Sequence, residues 1–197
     1  MDETRRRRHS GAMAKAEHPA GPRATKAGGP TLLMVPEGDN RPRHVCPDCG
    51  FVDYRNPLIV VGAVCAWRDR ILLCRRAINP RRGYWTIPAG YLELNESAPD
   101  GARREALEEA GVRIAIDHLL AVYSVPHISQ VQLIYAASLG SPELAPGPES
   151  LEAALFDWLE IPWSLLAFPS VRWALDHYRL ARQGGDRGAR TNPEDAG

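Results

Sequence analysis

The sequence lacks any apolar run long enough to cross a bilayer, and its amino terminus lacks the apolar core of a secretory signal. No membrane partner is expected. Net charge is absent as well, because 24 Lys and Arg balance 24 Asp and Glu, and that balance argues against a broad nucleic-acid surface. Cysteine is scarce. The four present, with no secretory segment ahead of them, predict thiols in a reducing compartment and a cytoplasmic protein. No internal repeat is found. What is there is a chain of 197 residues, 44% hydrophobic, enough for one soluble domain with a self-sufficient core.

The ends read as irregular by composition. Residues 1–34 combine four arginines, Arg5 to Arg8, with several alanines and glycines, and predict a flexible lead whose arginines form a solvated arm. Residues 183–197 are rich in Gly, Asp and Arg, show no apolar periodicity, and predict a flexible tail.

A second shortage concerns metal ligands. Cys46 and Cys49 have the C-x2-C spacing of a zinc knuckle, with Gly50 where such a turn needs it. A tetrahedral zinc takes four ligands, however, and no second C-x2-C exists. His44 is a weak third donor. Cys65 and Cys74 lie in apolar, strand-like stretches and read as buried small hydrophobes. Structural zinc is therefore not expected at full stoichiometry, and Cys46 and Cys49 remain candidates for residual zinc.

Carboxylates, by contrast, are concentrated. Residues 98–110 have helical periodicity, opened by Pro99 and Asp100 and stopped by Gly111. Within that helix Glu105, Glu108 and Glu109 fall on one turn, where like charges repel by about 0.2–0.5 kcal/mol per pair. Solvation of the face, with Arg103 and Arg104 as partners, is one way to accommodate them. A divalent cation is the other, and hard carboxylate oxygens suit Mg2+ or Mn2+. Ala102, Ala106 and Ala110, beside Leu107, would lie against a sheet, while Gly101 in the first turn has no explanation beyond close packing.

Gly90, Glu96, Arg104, Glu105, Glu108, Glu109 and Gly111, with apolar Ala106 and Val112, resemble position by position the box of the Nudix hydrolases. The resemblance implies an α/β fold, an αβα sandwich with a mixed β-sheet over residues 57–182. It also implies metal ligation by Glu105, Glu108 and Glu109, with Arg104 orienting a glutamate of the same box. Residues 35–56 would form a partial zinc-ribbon-like segment, a small β-hairpin. The stretches PEGDNRPRHVCPDCG, YRNP, LLCRRAINPRRGYWTIPAGYLE and PGPESLE are similar to zinc-ribbon-bearing Nudix hydrolases related to plant chloroplast enzymes acting on FAD and ADP-ribose. Members of that group usually carry another C-x2-C-G ahead of the ribbon, where this chain has KAGGPTLLM.

The expected reaction is Mg2+-dependent hydrolysis of the pyrophosphate bond of a nucleoside diphosphate linked to another moiety. ADP-ribose or FAD would release AMP, with NADH as a neighbouring substrate. The alternatives are cleansing of oxidised nucleoside triphosphates and a non-catalytic nucleotide-binding regulator. The partners implied are a nucleotide small molecule and a second copy, in a homodimer.

Flanking segments supply the remaining candidates. LIVVGAVCAW at 58–67 reads as a central strand covered on both faces, followed by a hairpin into residues 71–75. The arginine-rich loop before the box offers Arg76 and Arg82 for an anionic substrate. The resemblance implies that the loop from Pro126 to Gln130 lies near substrate, so Gly90, His127, Gln130 and Glu149 are expected to join the substrate contacts, and His127 could also move a proton. The resemblance also implies that Glu149 or Glu152 would add a carboxylate to the metal or the attacking water, with Glu152 preferred because it adjoins a strand placed at 154–159. Trp158 and Trp173 read as core or dimer contacts, with a stacking platform for adenine as the alternative.

Overall fold

The computed structural model describes residues 28–184 and 188–194. The Arg5 to Arg8 arm lies outside them. The chain divides into two compact units, residues 1–55 and 56–197. No helix among the described residues is long and apolar enough to cross a membrane.

The first unit is a three-stranded antiparallel sheet, β1 (Leu32–Met34), β2 (Arg43–Val45) and β3 (Val52–Asp53). It starts earlier than the expected boundary at residue 35, because Leu32, Leu33 and Met34 pair with Val45, His44 and Arg43. Asp39 organises the β1–β2 turn. Its Oδ1 accepts the amides of Asn40 and Arg41, at 2.7 and 3.2 Å, and its Oδ2 accepts from Arg43 at 2.9 Å. The guanidinium of Arg43 also lies over the Tyr54 ring, 5.2 Å from its centroid.

The second unit is a mixed sheet between two helices. Its strands are β4 (Leu58–Trp67), β5 (Arg70–Arg76), β6 (Trp85–Thr86), β7 (Ala89–Tyr91), β8 (Ile114–Val125), β9 (Gln130–Leu139) and β10 (Ser150–Phe156). The order is β10-β5-β4-β9-β8, with β6 paired to β5 and β7 to β4. Strands β4 and β9 run parallel and the other pairs antiparallel. Helix α1 (Ala98–Ala110) covers one face and α2 (Pro169–Arg182) the other.

The alternation of β4 and β5 explains why they are apolar throughout. Val61, Ala63, Cys65, Leu72 and Cys74 pack with Ala102, Ala106 and Ala110 of α1. Val64, Ala66, Ile71 and Leu73 point the other way, into a cluster with Val171, Ala174, Leu175 and Tyr178 of α2. Each large side chain so buried contributes about 1.5–3 kcal/mol. Burial pushes the thiols of Cys65 and Cys74 far above the usual range, as for inert small hydrophobes. The αβα sandwich with a mixed sheet and a small β-sheet ahead of it is therefore the observed architecture.

Two segments differ from the expected outline. The last strand runs Ser150–Phe156 rather than 154–159, and Trp158–Glu160 coils into a 3-10 turn where Trp158 meets Trp163 edge-on at 5.3 Å. The tail expected over 183–197 is structured in part, because residues 190–192 return to hydrogen-bond along β8.

Candidate active site

Helix α1 is the scaffold of the site. Ser97 caps its first turn by accepting the Asp100 amide at 3.3 Å, and Gly111, at φ 69°, turns its amide back to Ala106 and Leu107. Gly101 now has a reason. A Cβ there would lie 2.8 Å from both Glu96 Oε1 and Val61 Cγ2, so only glycine lets the first turn approach the sheet and the Glu96 carboxylate together. At Gly90 on β7 a Cβ would overlap the Glu105 carboxylate, which fixes how closely β7 and α1 pack.

The three glutamates do not share one environment. Glu105 and Glu109, one turn apart, are buried at 8% and 7% exposure beside Ala102, Ala106 and Ala110, whereas the Glu108 side chain is 57% exposed. Leu107, expected on the packed face, is 46% exposed because it sits about 100° around the helix from Ala106. Burial is the main reason that the Glu109 carboxyl is pushed up to about 8. The charges of Glu105 and Glu149 add to the rise, and Arg76 and the Ala89 amide oppose it. Glu105 is raised by burial too, with Arg104 as the relief.

Arg104 ties the cluster together. Its Nε and Nη2 donate to the two oxygens of Glu96 at 3.1 and 2.8 Å, a bidentate pair, and Nη2 also donates to the Tyr91 carbonyl at 2.9 Å. Its Nη1 donates to Glu105 at 2.7 Å and to Glu108 at 2.9 Å. The guanidinium holds the Glu96 carboxyl below its ordinary value. Loop 144–148 closes the far end of α1, where Ala145 and Gly147 donate amides to the carbonyls of Ala110 and Glu109 at 2.8 and 3.3 Å. Glu149 follows directly, its carbonyl accepting the Ala77 amide at 2.8 Å.

These groups line one cleft of about 860 Å3, within the size range of small-molecule sites. Its carboxylates are Glu93, Glu105, Glu108, Glu109 and Glu149, with Arg76 and Arg104 beside them in the lining. Its apolar and aromatic lining comes from Val125, Ile128, Ile134, Phe168, Val171 and Trp173. Of the sequence candidates, Arg76, Gly90, Arg104, Glu105, Glu108, Glu109, His127, Gln130 and Glu149 meet here. Arg82 and Glu152 are not among the lining residues. Glu152 stands within β10 opposite Arg75 of β5, exposed, its carboxylate 3.8 Å from the Arg75 guanidinium. Arg76 adjoins both sets, its charge lowering the Glu109 carboxyl while its guanidinium donates to the Pro80 carbonyl at 2.9 Å and stacks over Phe168 at 5.3 Å.

Sequence reasoning missed Tyr91, Gln132 and Phe168. The signal for Gln132 was present, since Gln130 and Gln132 are polar at period two on a face that continues with Ile134 and Ala136. Gln130 donates to the Tyr91 hydroxyl at 3.3 Å.

The carboxylate cluster fits a divalent cation. Glu109 Oε2 is buried without a hydrogen-bond partner, and both buried glutamates are hard oxygen donors raised first by burial, Glu109 also by the charges of Glu105 and Glu149, and Glu105 also by those of Glu108 and Glu149. Among the described residues no three His, Cys, Asp or Glu side chains form a ready ligand set, and in this cluster Arg104 bridges Glu105 and Glu108. The ribbon does not fit a zinc ion in the same way. Cys46 is buried at a turn closed by its carbonyl and the Gly50 amide at 2.9 Å, and the amides of Cys49 and Asp48, with the Cys49 thiol, hold its thiol below the ordinary value. The sequence ahead of β1 contains no cysteine, so two of four sulfur ligands are missing.

Comparison with known proteins bears on both units. A family model, the NUDIX domain, matches residues 56–177, and a second, the Nudix N-terminal zinc ribbon, matches residues 26–55. The ADP-ribose pyrophosphatase of Methanocaldococcus jannaschii is 30% identical over 132 residues, 64% of this chain and 76% of that protein. The NAD-capped RNA hydrolase NudC of Stutzerimonas stutzeri is 31% identical over 144 residues, covering 71% of this chain and 50% of that protein. The chain thus spans half the length of that relative. A solved NUDIX hydrolase from Nitrosomonas europaea is 44% identical, with a TM-score of 0.79 over 85% of this chain and 96% of that chain. With the first model covering more than half of the chain and Gly90, Arg104, Glu105, Glu108 and Glu109 of the box lining one cleft, the chain belongs to the Nudix family of hydrolases.

Proposed function

We propose that the chain hydrolyses the pyrophosphate bond of a nucleoside diphosphate linked to a second moiety, with ADP-ribose or FAD as substrate and AMP as a product. The observation that carries this reading is the mixed lining of the cleft. Five carboxylates and Arg76 share it with Phe168, Trp173 and Ile134, which suits a diphosphate joined to a flat, partly apolar group. The similarity to an ADP-ribose pyrophosphatase supports the first substrate. NADH, another dinucleotide with an internal pyrophosphate, stands next to it.

Glu105, Glu108 and Glu109 would hold the Mg2+ or Mn2+. Such an ion supplies polarisation of the nonbridging oxygens, a lowered pKa for the attacking water and stabilisation of the leaving phosphate. Arg104 keeps the box loop on α1 through Glu96. Arg76 presents the positive charge that a diphosphate needs, and its stacking on Phe168 fixes where that charge stands. The proton of the water goes to a carboxylate, and Glu149 is the flanking residue that reaches the cleft.

A panel of ADP-ribose, FAD, NADH and oxidised nucleoside triphosphates, run with Mg2+ in heavy-oxygen water, tests the proposal. AMP release from ADP-ribose or FAD, absent without the metal, is the expected result. Turnover of triphosphates alone would overturn it, and binding without turnover of any member would identify a regulator.

A further inference from the structure

The C-terminal residues supply an edge to the sheet. Strand β8 is outermost on its side, and its pairing with β9 breaks register twice, between Ile116 and His118 and between Leu119 and Ala121. Beyond the second break its outer side is taken by residues 190–192. The Arg190 amide donates to the Leu120 carbonyl at 2.9 Å and the Val122 amide to the Arg190 carbonyl at 2.8 Å, a parallel bridge between Ala121 and Arg190. A side chain makes the next step. The Ser124 amide donates to Asn192 Oδ1 at 2.8 Å, and Asn192 Nδ2 donates to the Ser124 carbonyl at 2.7 Å. A primary amide carries acceptor and donor in one plane, as a peptide does, so asparagine closes this ring of two bonds where an ionised aspartate, acceptor only, cannot.

Ser124 is where the chain enters the cleft wall. Val125, His127, Ile128 and Gln130 line the cleft within the next six residues. The inner side of that turn is held by the Leu58 amide on the Ser129 carbonyl at 2.9 Å and the Ser129 amide on the Pro126 carbonyl at 3.0 Å. Asn192 holds the outer side.

We infer that Asn192 is a positioning residue for substrate binding, a clamp from the end of the chain that fixes the 125–130 wall of the cleft. The inference rests on the reading of this cleft as the diphosphate site. Without the clamp the edge opens from Ser124 onward, and His127 and Gln130 lose their fixed places. The box glutamates stand on α1 and Glu149 beside β10, so the chemistry keeps its geometry while binding weakens.

The test uses the full chain with Asn192→Ala and Asn192→Asp, and Thr191→Ala as control. Hydrogen exchange of amides 122–129 is expected to quicken about tenfold in both variants, with β4 and β5 unchanged. KM for ADP-ribose with Mg2+ is expected to rise about tenfold while kcat stays within about twofold, a split that general loss of stability would not produce. Unchanged exchange at 124–129 overturns the clamp, and faster exchange with unchanged KM overturns its part in binding. A wild-type chain that turns over none of ADP-ribose, FAD and NADH counts against the proposed function, and the clamp then stands or falls on exchange alone.

Discussion

The two units each carry a metal motif, and they have treated it differently. In the hydrolase unit the box is whole, and α1 keeps Glu105 and Glu109 buried one turn apart, with Glu109 Oε2 unpaired. That arrangement costs stability in the absence of a cation, so function is the reason to keep it. In the ribbon unit half the ligands are gone, yet the knuckle turn is closed by its own backbone bonds and the β1–β2 turn by Asp39, Arg43 and Tyr54. A site keeps its metal when the number and type of donors are complete. A turn keeps its shape when local hydrogen bonds suffice.

The comparison breaks first if the glutamates prove idle. Glu109→Gln preserves size and helix propensity while removing a charge, and kcat on the substrate identified should fall roughly a hundredfold or more at saturating Mg2+, since each 1.4 kcal/mol or so is worth tenfold. Near-wild-type turnover would move the essential carboxylate to Glu105, Glu108 or Glu149. Next in size is the contrast between the two flanking glutamates. Glu149→Gln should lower kcat about tenfold or more, and Glu152→Gln should stay within about threefold, because only the former lines the cleft. Equal losses in steady-state assays would remove the distinction.

A smaller effect concerns stability without metal. The Glu109 carboxyl, pushed up to about 8 from an ordinary 4.5, keeps its proton in the folded chain over a range where the unfolded chain has lost it. Its contribution is therefore whole below about 4.5 and is lost as pH rises through about 8. Melting in chelator should show a midpoint that declines across that window, and Glu109→Gln should flatten the decline. A wild-type midpoint that rises over the window would reverse the sign and refute the burial argument. The smallest effect belongs to the ribbon. Elemental analysis should find less than one zinc per chain, and chelator should leave the melting midpoint unchanged at a pH where Mg2+ is also absent. One tightly held zinc per chain would mean that ligands outside Cys46 and Cys49 complete the site.

Much of the outline was legible in the sequence by itself. The limits of α1 follow from Pro99, Asp100 and Gly111, and the central position of β4 from an apolar run with no polar face, because helix ends and two-sided burial are written in consecutive residues. The box likewise lies within one stretch of 23 residues from Gly90 to Val112, so its spacing could be read without knowing the fold. What only the tertiary structure decided depends on partners far away in the chain. Glu108 faces solvent while Glu105 and Glu109 are buried because β4 and β7 cover one side of α1 and not the other. Glu149 reaches the cleft and Glu152 does not because β10 begins at Ser150, a start set by its pairing with Arg76 of β5. Asn192 meets Ser124 across 68 residues, and a polar tail with no periodicity carries no local mark of the strand edge whose amides it satisfies.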